Sequence, residues 1–379
     1  MLSPWARRFP GLNRLRKIVL RPICDLFVNI LRVAAPVHAR WGPPKGLYSE
    51  YELLQQNKTA GRVFLKSQQT PLLPPHSLRE ASGMDQDKFQ PWPVFWIRHD
   101  EARLIARSLV RLDEKKRLSL EGAFGPSMPA VKNDPAYRTC FLTPATRLEG
   151  NWTSVVTQLC EGYYHWLMDA LPHLVMLPEL PPDTRIIVPP RLAAFQLETL
   201  QWLNLEGRCR PTPEKHLLVE HYFFCRPTSM TGCYNPYAVE FLRRSFLHHA
   251  DESFVSPRRF YLRRVGKIRP IINEAELLEF FQTRGWAIVD TEQMSLSQQI
   301  RLFSQAEMIC APHGAGLTNL LWCQPGCKVL ELCTSSYLNG VFEGLAQCVG
   351  ANYRYLIFKG DYGLRSVVNI PEIAKALDY

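Results

Sequence analysis

Residues 311–319 read Ala-Pro-His-Gly-Ala-Gly-Leu-Thr-Asn and join two apolar segments through a turn with little side-chain bulk. Residues 307–310 before the turn are short and compatible with a β-strand, and residues 317–322 after it suit a helix whose first turn is open. A helix N-terminus offers unpaired backbone donors and a partial positive charge, which together attract anions. The stretch alone leaves two interpretations open, a tight strand-to-helix turn and a phosphate-binding turn.

Length and composition indicate a globular protein with more than one domain. The chain has 379 residues, of which 46% are hydrophobic and 21% are charged. These values are typical of a chain with a real core, so they exclude a disordered protein. The length predicts two domains of about 150 residues each, with extensions.

The positive charge of the chain is concentrated at its N-terminus. Residues 1–45 hold nine basic residues against one acidic residue, so they supply +8 of the net charge of +10. The rest of the chain is therefore nearly neutral, which argues against nucleic acid as a partner.

Apolar residues recur at helical spacing beside these basic residues, and we treat residues 1–50 as a basic amphipathic extension. They are Ile23, Leu26, Phe27, Ile30, Leu31 and Val33. The pattern predicts peripheral contact of residues 1–45 with an anionic membrane surface. The segment is too short and too charged to span a bilayer, and it lacks the pattern of a signal peptide. A helix packed on the protein's own body is the alternative.

The eleven cysteines are scattered along the chain and form no Cys-x-x-Cys pair. The sequence therefore predicts neither a disulfide framework nor a zinc site. This cysteine usage favours a reducing compartment.

Strands and helices alternate from residue 184 onward, which predicts an α/β protein with parallel sheets covered on both faces. A break near residues 250–257 divides the alternation into two Rossmann-like units. The predicted strands are 185–188, 217–224, 260–262, 286–289, 308–311 and 328–332, and the predicted helices are 194–203, 238–249, 274–282, 296–305 and 315–322.

A basic loop follows the predicted strand 260–262. Residues 258–269 contain six basic residues and no acidic residue. In a parallel sheet ligands bind at the carboxyl ends of the strands, where this loop and the glycine turn would grip a pyrophosphate together. Glu331 ends a further strand, where its carboxylate could accept from ribose hydroxyls. A solvated basic face and a surface salt bridge of Glu331 are the alternatives.

A second set of candidate residues lies on a predicted helix that starts after Gly162 and is kinked or ended by Pro172. His165 and Asp169 are four residues apart, so they share one helix face. A histidine oriented by a carboxylate is suited to act as a general base on a hydroxyl group. A purely structural hydrogen bond is the alternative.

These motifs, in this order, resemble glycosyltransferase family 61 over about residues 155–335. The resemblance lies in Tyr164-His165-Trp166-Leu167-Met168-Asp169-Ala170-Leu171-Pro172, in Tyr261-Leu262-Arg263-Arg264 followed by Arg269 and Asn273-Glu274, in residues 296–306, and in His313-Gly314-Ala315-Gly316-Leu317-Thr318-Asn319 followed by Pro325-Gly326 and Glu331. One departure is Arg263, where members often have serine, and it adds positive charge.

The resemblance implies an inverting glycosyltransferase of the GT-B architecture, with two Rossmann-like domains facing each other across a cleft. It also implies a nucleotide-sugar donor, UDP-linked in our hypothesis, and no metal or other cofactor. An acceptor-side domain would span residues 51–252, a nucleotide-sugar-binding domain residues 253–345, and residues 346–379 would pack back across the domains.

The same resemblance assigns roles to individual residues. His165 and Asp169 would be catalytic, with either one as the base. The donor would be bound by Arg264, Arg269, His313, Gly314, Ala315, Gly316, Thr318, Asn319 and Glu331, with Glu331 at the nucleoside end. We assign His313 to donor binding rather than to proton transfer.

The acceptor is expected to be a glycan or glycolipid in surface polysaccharide assembly, at the cytoplasmic face of the plasma membrane. A non-catalytic scaffold at the membrane surface, which retains a nucleotide-sugar-binding fold, is the main alternative. A dinucleotide oxidoreductase fits less well, because no Gly-x-Gly-x-x-Gly follows a strand with an acidic residue about 20 positions on.

Overall fold

The computed structural model describes residues 44–56, 60–65, 94–122, 136, 142–226, 232, 234–264, 266 and 268–378. The predicted amphipathic helix of the N-terminal extension lies outside these residues. Within the described ranges, every helix is too short or too polar to cross a bilayer.

The strands in chain order are β1 Gly46–Tyr48, β2 Gly61–Leu65, β3 Val94–Ile105, β4 Val110–Leu112, β5 Arg117–Ser119, β6 Thr146–Ser154, β7 Arg185–Val188, β8 Cys209–Pro211, β9 His216–Cys225, β10 Arg259–Leu262, β11 Ala287–Val289, β12 Met308–Pro312, β13 Lys328–Thr334 and β14 Asn352–Phe358. The α-helices are α1 Glu50–Gln55, α2 Tyr163–His165, α3 Ala194–Trp202, α4 Pro236–Phe246, α5 Glu274–Thr283, α6 Leu296–Ser304, α7 Val341–Val349 and α8 Ile370–Leu377. A π-helical turn Trp166–Ala170 follows α2, and 3₁₀ helices span Leu171–Glu179, Glu206–Arg208, Leu247–His249, Thr291–Gln293 and Ala315–Trp322.

The chain divides into two compact units. The first comprises Met1–Ala60, Arg98–Gly150 and Glu214–Tyr222, and the second comprises Gly61–Ile97, Asn151–Pro213 and Phe223–Tyr379. The predicted domain boundary at residues 252–253 falls inside the second unit, and the division into an acceptor-side and a donor-side domain stays a prediction.

The first unit contains antiparallel strands joined by short turns. Strand β4 pairs antiparallel with both β3 and β5, whereas β1 pairs parallel with β5. The turns have positive φ at Ala106, Leu109 and Lys116, and turns this short can join only antiparallel neighbours. The pairing within residues 51–252 is therefore mixed, because β7 pairs parallel with both β6 and β8.

The second unit contains the parallel α/β layer that the sequence predicts. Among the described residues, five parallel strands lie in the order β11-β10-β12-β13-β14. Numbered within this sheet, the order is 2-1-3-4-5, so the winding direction reverses between β10 and β12. Ligands bind at such a switch point in doubly wound folds. Residues 346–379 supply the edge strand β14 and helix α8 to this layer.

Both faces of the central strands β10, β12 and β13 are buried, which explains their continuous apolar runs. Alternate residues point to opposite faces. Phe260, Ile309 and Val329 join a core cluster with α6, α7 and the 3₁₀ helix Ala315–Trp322. Tyr261, Cys310 and Leu330 pack instead with α5 and α8. The first cluster also includes residues of α2, the π-helical turn, α3 and α4, so these elements share one core with the sheet.

Candidate active site

The sequence-predicted phosphate-binding features lie at the switch point of the parallel sheet. Arg264 follows the carboxyl end of β10, and residues 313–316 follow the carboxyl end of β12, its neighbour in the sheet. The two segments touch, because Arg264 Nη1 donates a hydrogen bond to the carbonyl oxygen of His313. The geometry therefore brings the basic loop and the glycine turn together.

The glycines of the turn are required by close neighbours rather than by unusual backbone angles. A Cβ on Gly314 would lie 2.6 Å from Arg264 Nη1, and a Cβ on Gly316 would lie 3.0 Å from Leu262 Cδ2. The φ of Gly314 is 178°, a value that any residue adopts. The absence of a side chain at Gly314 thus lets the guanidinium of Arg264 lie directly against the turn.

Arg264 and Arg269 are neighbouring cations in this region. Burial lowers the pKa of Arg264 to about 10, with a further contribution from the positive charge of Arg269. In the described part of the chain, neither guanidinium forms an ion pair with a carboxylate, and Arg269 lies over the Tyr337 ring at 4.3 Å. Two neighbouring cations that form no ion pair with a described carboxylate are suited to bind an anion such as a diphosphate.

The rest of the basic run has other roles. Arg263 is bonded to Glu274, with nitrogen–oxygen distances of 3.2 and 3.3 Å, so the extra charge at this position is neutralised. Arg258 precedes β10 and pairs with Glu307 at 3.0 Å. Arg258 and Arg259 line a separate cavity of about 920 Å³ at the amino ends of the strands. Of the six basic residues of the run, these two therefore do not belong to the loop that follows β10.

Glu331 forms a buried network with His313. The carboxylate accepts from Tyr353 through one oxygen and contacts His313 Nδ1 through the other, and Glu331 is fully buried. Burial and the neighbouring carboxylate raise the pKa of Tyr353 well above its usual value. This geometry favours a positioning role of Glu331 on His313 over the contact with ribose hydroxyls that the resemblance implied.

Thr318 and Asn319 are also fully buried. Asn319 Oδ1 accepts from the Tyr163 hydroxyl at 2.7 Å and from Trp322 Nε1 at 3.0 Å. Its amide group donates to Gln299 Oε1 at 2.9 Å and to the carbonyl oxygen of Gly316 at 3.1 Å. Asn319 therefore connects the glycine turn to the segment that carries His165.

His165 and Asp169 form the hydrogen-bonded pair that the sequence predicts. His165 Nδ1 lies 2.6 Å from Asp169 Oδ2, and the His165 side chain is 22% exposed. Asp169 lies in the π-helical turn, a local distortion that is frequent at functional sites. Pro172 does not end the helical segment, which continues as a 3₁₀ helix to Glu179.

Aromatic contacts connect the two histidines. The Tyr164 ring lies edge-on to His165 at 5.0 Å and edge-on to Phe342 at 5.9 Å. The Phe342 ring lies 5.1 Å from His313. The catalytic candidates and the glycine turn thus belong to one packed neighbourhood of the second unit.

A cavity of about 600 Å³ opens beside the turn. It is lined by Arg264, Gly314, Ala315 and Gly316. Arg269 and His313 line a small neighbouring pocket. Neither cavity is lined by the other predicted site residues, Thr318, Asn319, Glu331, His165 and Asp169.

Several residues of the 600 Å³ cavity were not predicted from the sequence. Tyr163, Phe195, Glu198 and Glu292 line it. Tyr163 directly precedes the matched residues 164–172, which was a usable signal. Nothing in the sequence marks Glu198 or Glu292, because they reach the cavity through the packing of α3 and the loop after β11. Across the described ranges, no group of three or more His, Cys, Asp or Glu side chains is arranged to hold a metal ion.

Comparison with known proteins identifies the same part of the chain. Residues 163–330 match the family model described as glycosyltransferase 61. The chain is also similar to the beta-1,2-xylosyltransferase RCN11 of Oryza sativa subsp. japonica, with 28% identity over 119 residues. That match covers 28% of this chain and 22% of the rice protein's length. The family match includes all the candidate residues from His165 to Asn319 and ends one residue before Glu331.

Proposed function

On the premise that residues 163–330 match the family model of glycosyltransferase 61, we propose that this chain transfers a sugar from a nucleotide-sugar donor to a hydroxyl group of a glycan or glycolipid. The proposal includes inversion at the anomeric carbon, the GT-B architecture and a metal-free mechanism. The observation that carries it is the contact of Arg264 with the glycine turn at the switch point, where neither Arg264 nor Arg269 has an acidic partner among the described residues.

In this proposal the donor diphosphate binds at the turn. Arg264, Arg269 and the backbone N–H groups that open the helix Ala315–Trp322 face the phosphate oxygens. As the glycosyl group leaves, negative charge grows on the diphosphate, and these fixed donors stabilise it. Ala315 and Gly316 present little bulk, so the backbone can approach the phosphates closely.

The acceptor is activated by the pair of His165 and Asp169. A proton on Nδ1, held by Asp169 at 2.6 Å, makes Nε2 the basic ring nitrogen. The acceptor oxygen forms a bond to the anomeric carbon while the bond from that carbon to the diphosphate oxygen breaks. The hydroxyl proton passes to His165 Nε2, and the charge of Asp169 stabilises the imidazolium.

Two substitutions test the base. His165→Ala and Asp169→Asn should lower turnover by about 10²- to 10⁴-fold. The donor dissociation constant should change little, because neither residue lines the cavity beside the glycine turn, which we call the donor cavity. Steady-state kinetics and calorimetry of the same preparations separate the two effects. Unchanged turnover in both variants would remove the pair from the mechanism. If the unaltered protein hydrolysed none of the nucleotide sugars tested, the non-catalytic scaffold would be favoured.

Metal-free transfer has its own test. Because arginines and backbone donors face the leaving group, we expect turnover and nucleoside diphosphate binding to survive EDTA. The sequence also contains Asp85 and Asp87, two carboxylates separated by one residue, which lie outside the described residues. The EDTA test would reveal a metal ion bound by these two carboxylates as well. Loss of diphosphate binding on EDTA treatment, with recovery on addition of Mg²⁺ or Mn²⁺, would contradict the proposal.

The donor, acceptor and location belong to the same proposal. The rice relative is a xylosyltransferase by its name, so UDP-xylose is the first donor to test, followed by other UDP-sugars. We propose a role in surface polysaccharide assembly at the inner face of the plasma membrane, with residues 1–45 in peripheral contact with lipid. Co-sedimentation with anionic vesicles, before and after deletion of residues 1–45, tests that contact.

A further inference from the structure

The donor cavity is lined by two carboxylates as well as by the turn. Glu198 reaches it from α3 and Glu292 from the loop after β11. The same cavity is lined by Arg264, Gly314 and Gly316. It therefore presents both a cationic group and carboxylates to one ligand.

Neither carboxylate is neutralised within the described residues, where no ion pair of Glu198 or Glu292 occurs. Glu198 is half-buried and accepts a hydrogen bond from the backbone N–H of Leu296. Its burial raises the pKa of the carboxyl group. Glu292 is exposed and close enough to Arg264 to affect the pKa of that guanidinium. Both groups retain acceptor capacity toward the cavity.

The surrounding wall is aromatic and apolar. Tyr163 and Phe195 pack edge-to-face at 5.1 Å, and Met294 and Leu296 lie beside them in the cavity lining. The Tyr163 hydroxyl is engaged by Asn319, so it does not compete for the carboxylates. A ligand with hydroxyl donors on an otherwise apolar ring face fits this wall.

We propose that Glu198, together with Glu292, forms a diol subsite that binds adjacent hydroxyl groups of the donor. A carboxylate has two oxygens and accepts from two neighbouring hydroxyls at once. Both the ribose and the transferred sugar of a nucleotide sugar carry such hydroxyls, and both lie within one molecule whose diphosphate binds at Arg264. This inference rests on the proposed function. It adds carboxylates that can reach the donor hydroxyls, which the fully buried Glu331 does not.

The experiment is calorimetry on the full chain with UDP, 2′-deoxy-UDP and UDP-xylose, using the unaltered protein, Glu198→Gln and Glu292→Gln. Glu206→Gln is the matched control, because Glu206 is exposed, lies near the end of α3 and does not line the cavity. Glutamine keeps the size of the side chain and an acceptor for the Leu296 N–H. Circular dichroism and thermal unfolding verify that each variant folds.

We expect the charge-assisted contact at Glu198 to contribute about 10-fold in affinity. If ribose occupies the subsite, Glu198→Gln weakens UDP about 10-fold and 2′-deoxy-UDP much less. If the transferred sugar occupies it, UDP is unaffected and UDP-xylose is weakened. The subsite would be overturned if each of the three ligands bound both cavity variants as tightly as it binds the unaltered protein. It would also be overturned if Glu206→Gln lost as much affinity as Glu198→Gln.

The two levels of the proposal fail differently. If the unaltered protein binds UDP and UDP-xylose but the variants bind them equally well, only the diol subsite is wrong. If the unaltered protein binds no nucleoside diphosphate or nucleotide sugar, with GDP and GDP-mannose included as further probes, the proposed function is wrong and the subsite with it.

Discussion

Gly314 is the residue at which the chemistry of the turn depends most directly on the absence of a side chain. Gly314→Ala would place a Cβ 2.6 Å from Arg264 Nη1, so the guanidinium must move from its position against the turn. We expect nucleoside diphosphate affinity to fall by about 10-fold or more, the value of a charge-assisted contact. Arg264→Ala should give a similar loss, and calorimetry measures both.

Gly266→Ala is the matched control for that substitution. Gly266 lines the same cavity, but a Cβ added there meets nothing within 4 Å. The affinity of the Gly266→Ala variant for nucleoside diphosphate should therefore remain close to that of the unaltered protein. A loss at Gly266 as large as at Gly314 would mean that any change in this loop weakens binding, and the specific clash would not be the cause.

The candidate residues differ in how far the sequence could foresee their contacts. The spacing of His165 and Asp169 on one helical face predicted their hydrogen bond, because local geometry alone brings them together. Glu331 was placed at the ribose because it ends a strand. Its burial, and its bond to Tyr353 on a neighbouring strand, are tertiary properties that one segment of sequence does not contain.

Among the elements, the strands with continuous apolar runs were predicted closely. The predicted strands 260–262, 308–311 and 328–332 differ from β10, β12 and β13 by at most two residues at either end. Helix type was not foreseen: residues 315–322 form a 3₁₀ helix. Edge strand β14 was also missed, because several of its side chains face solvent and its sequence lacks a continuous apolar run.

The 3₁₀ helix Ala315–Trp322 is joined to the segment around His165 by Asn319, and this connection predicts a stability loss. Asn319→Ala leaves the Tyr163 hydroxyl and Trp322 Nε1 without their shared acceptor. Each buried donor without a partner costs roughly 1–3 kcal/mol, so we expect the free energy of unfolding to fall by about 3 kcal/mol in urea titrations.

Tyr163→Phe removes one donor of this network and should cost about 1 kcal/mol. Asn151→Ala is the surface control, because Asn151 is bonded to Asp183 at an exposed site. An Asn319→Ala variant as stable as Asn151→Ala would show that the connection between the two elements contributes little.

For the protein as a whole, the sequence predicted the α/β class and the parallel sheet but left the compact units undetermined. Long strands such as β3 and β9 contribute residues to both units, so no linker of distinctive composition separates them. The core that joins α2, α3 and α4 with the parallel sheet was not predicted either. It includes residues more than 100 positions apart, and local sequence patterns do not connect residues so distant.

The buried histidine His173 makes global stability depend on pH. Burial, with a contribution from the positive charge of Arg226, lowers the pKa of His173 to about 4. An unfolded histidine titrates near about 6.5, so between these values the unfolded state binds more protons than the native state. Stability is therefore lost as the pH falls through this window. From pH 6.5 to pH 5 the loss amounts to about 2 kcal/mol, at about 1.4 kcal/mol per pH unit.

His173→Leu should remove this component, so the difference in unfolding free energy between the variant and the unaltered protein should shift in favour of the variant as the pH falls from 6.5 to 5. Urea titrations at both pH values measure it. The control is Val255→Leu, because Val255 is exposed and neither side chain titrates, so this replacement should leave the pH dependence unchanged. Parallel curves for His173→Leu and the unaltered protein would mean that carboxylates elsewhere, rather than His173, govern the acid sensitivity of the fold.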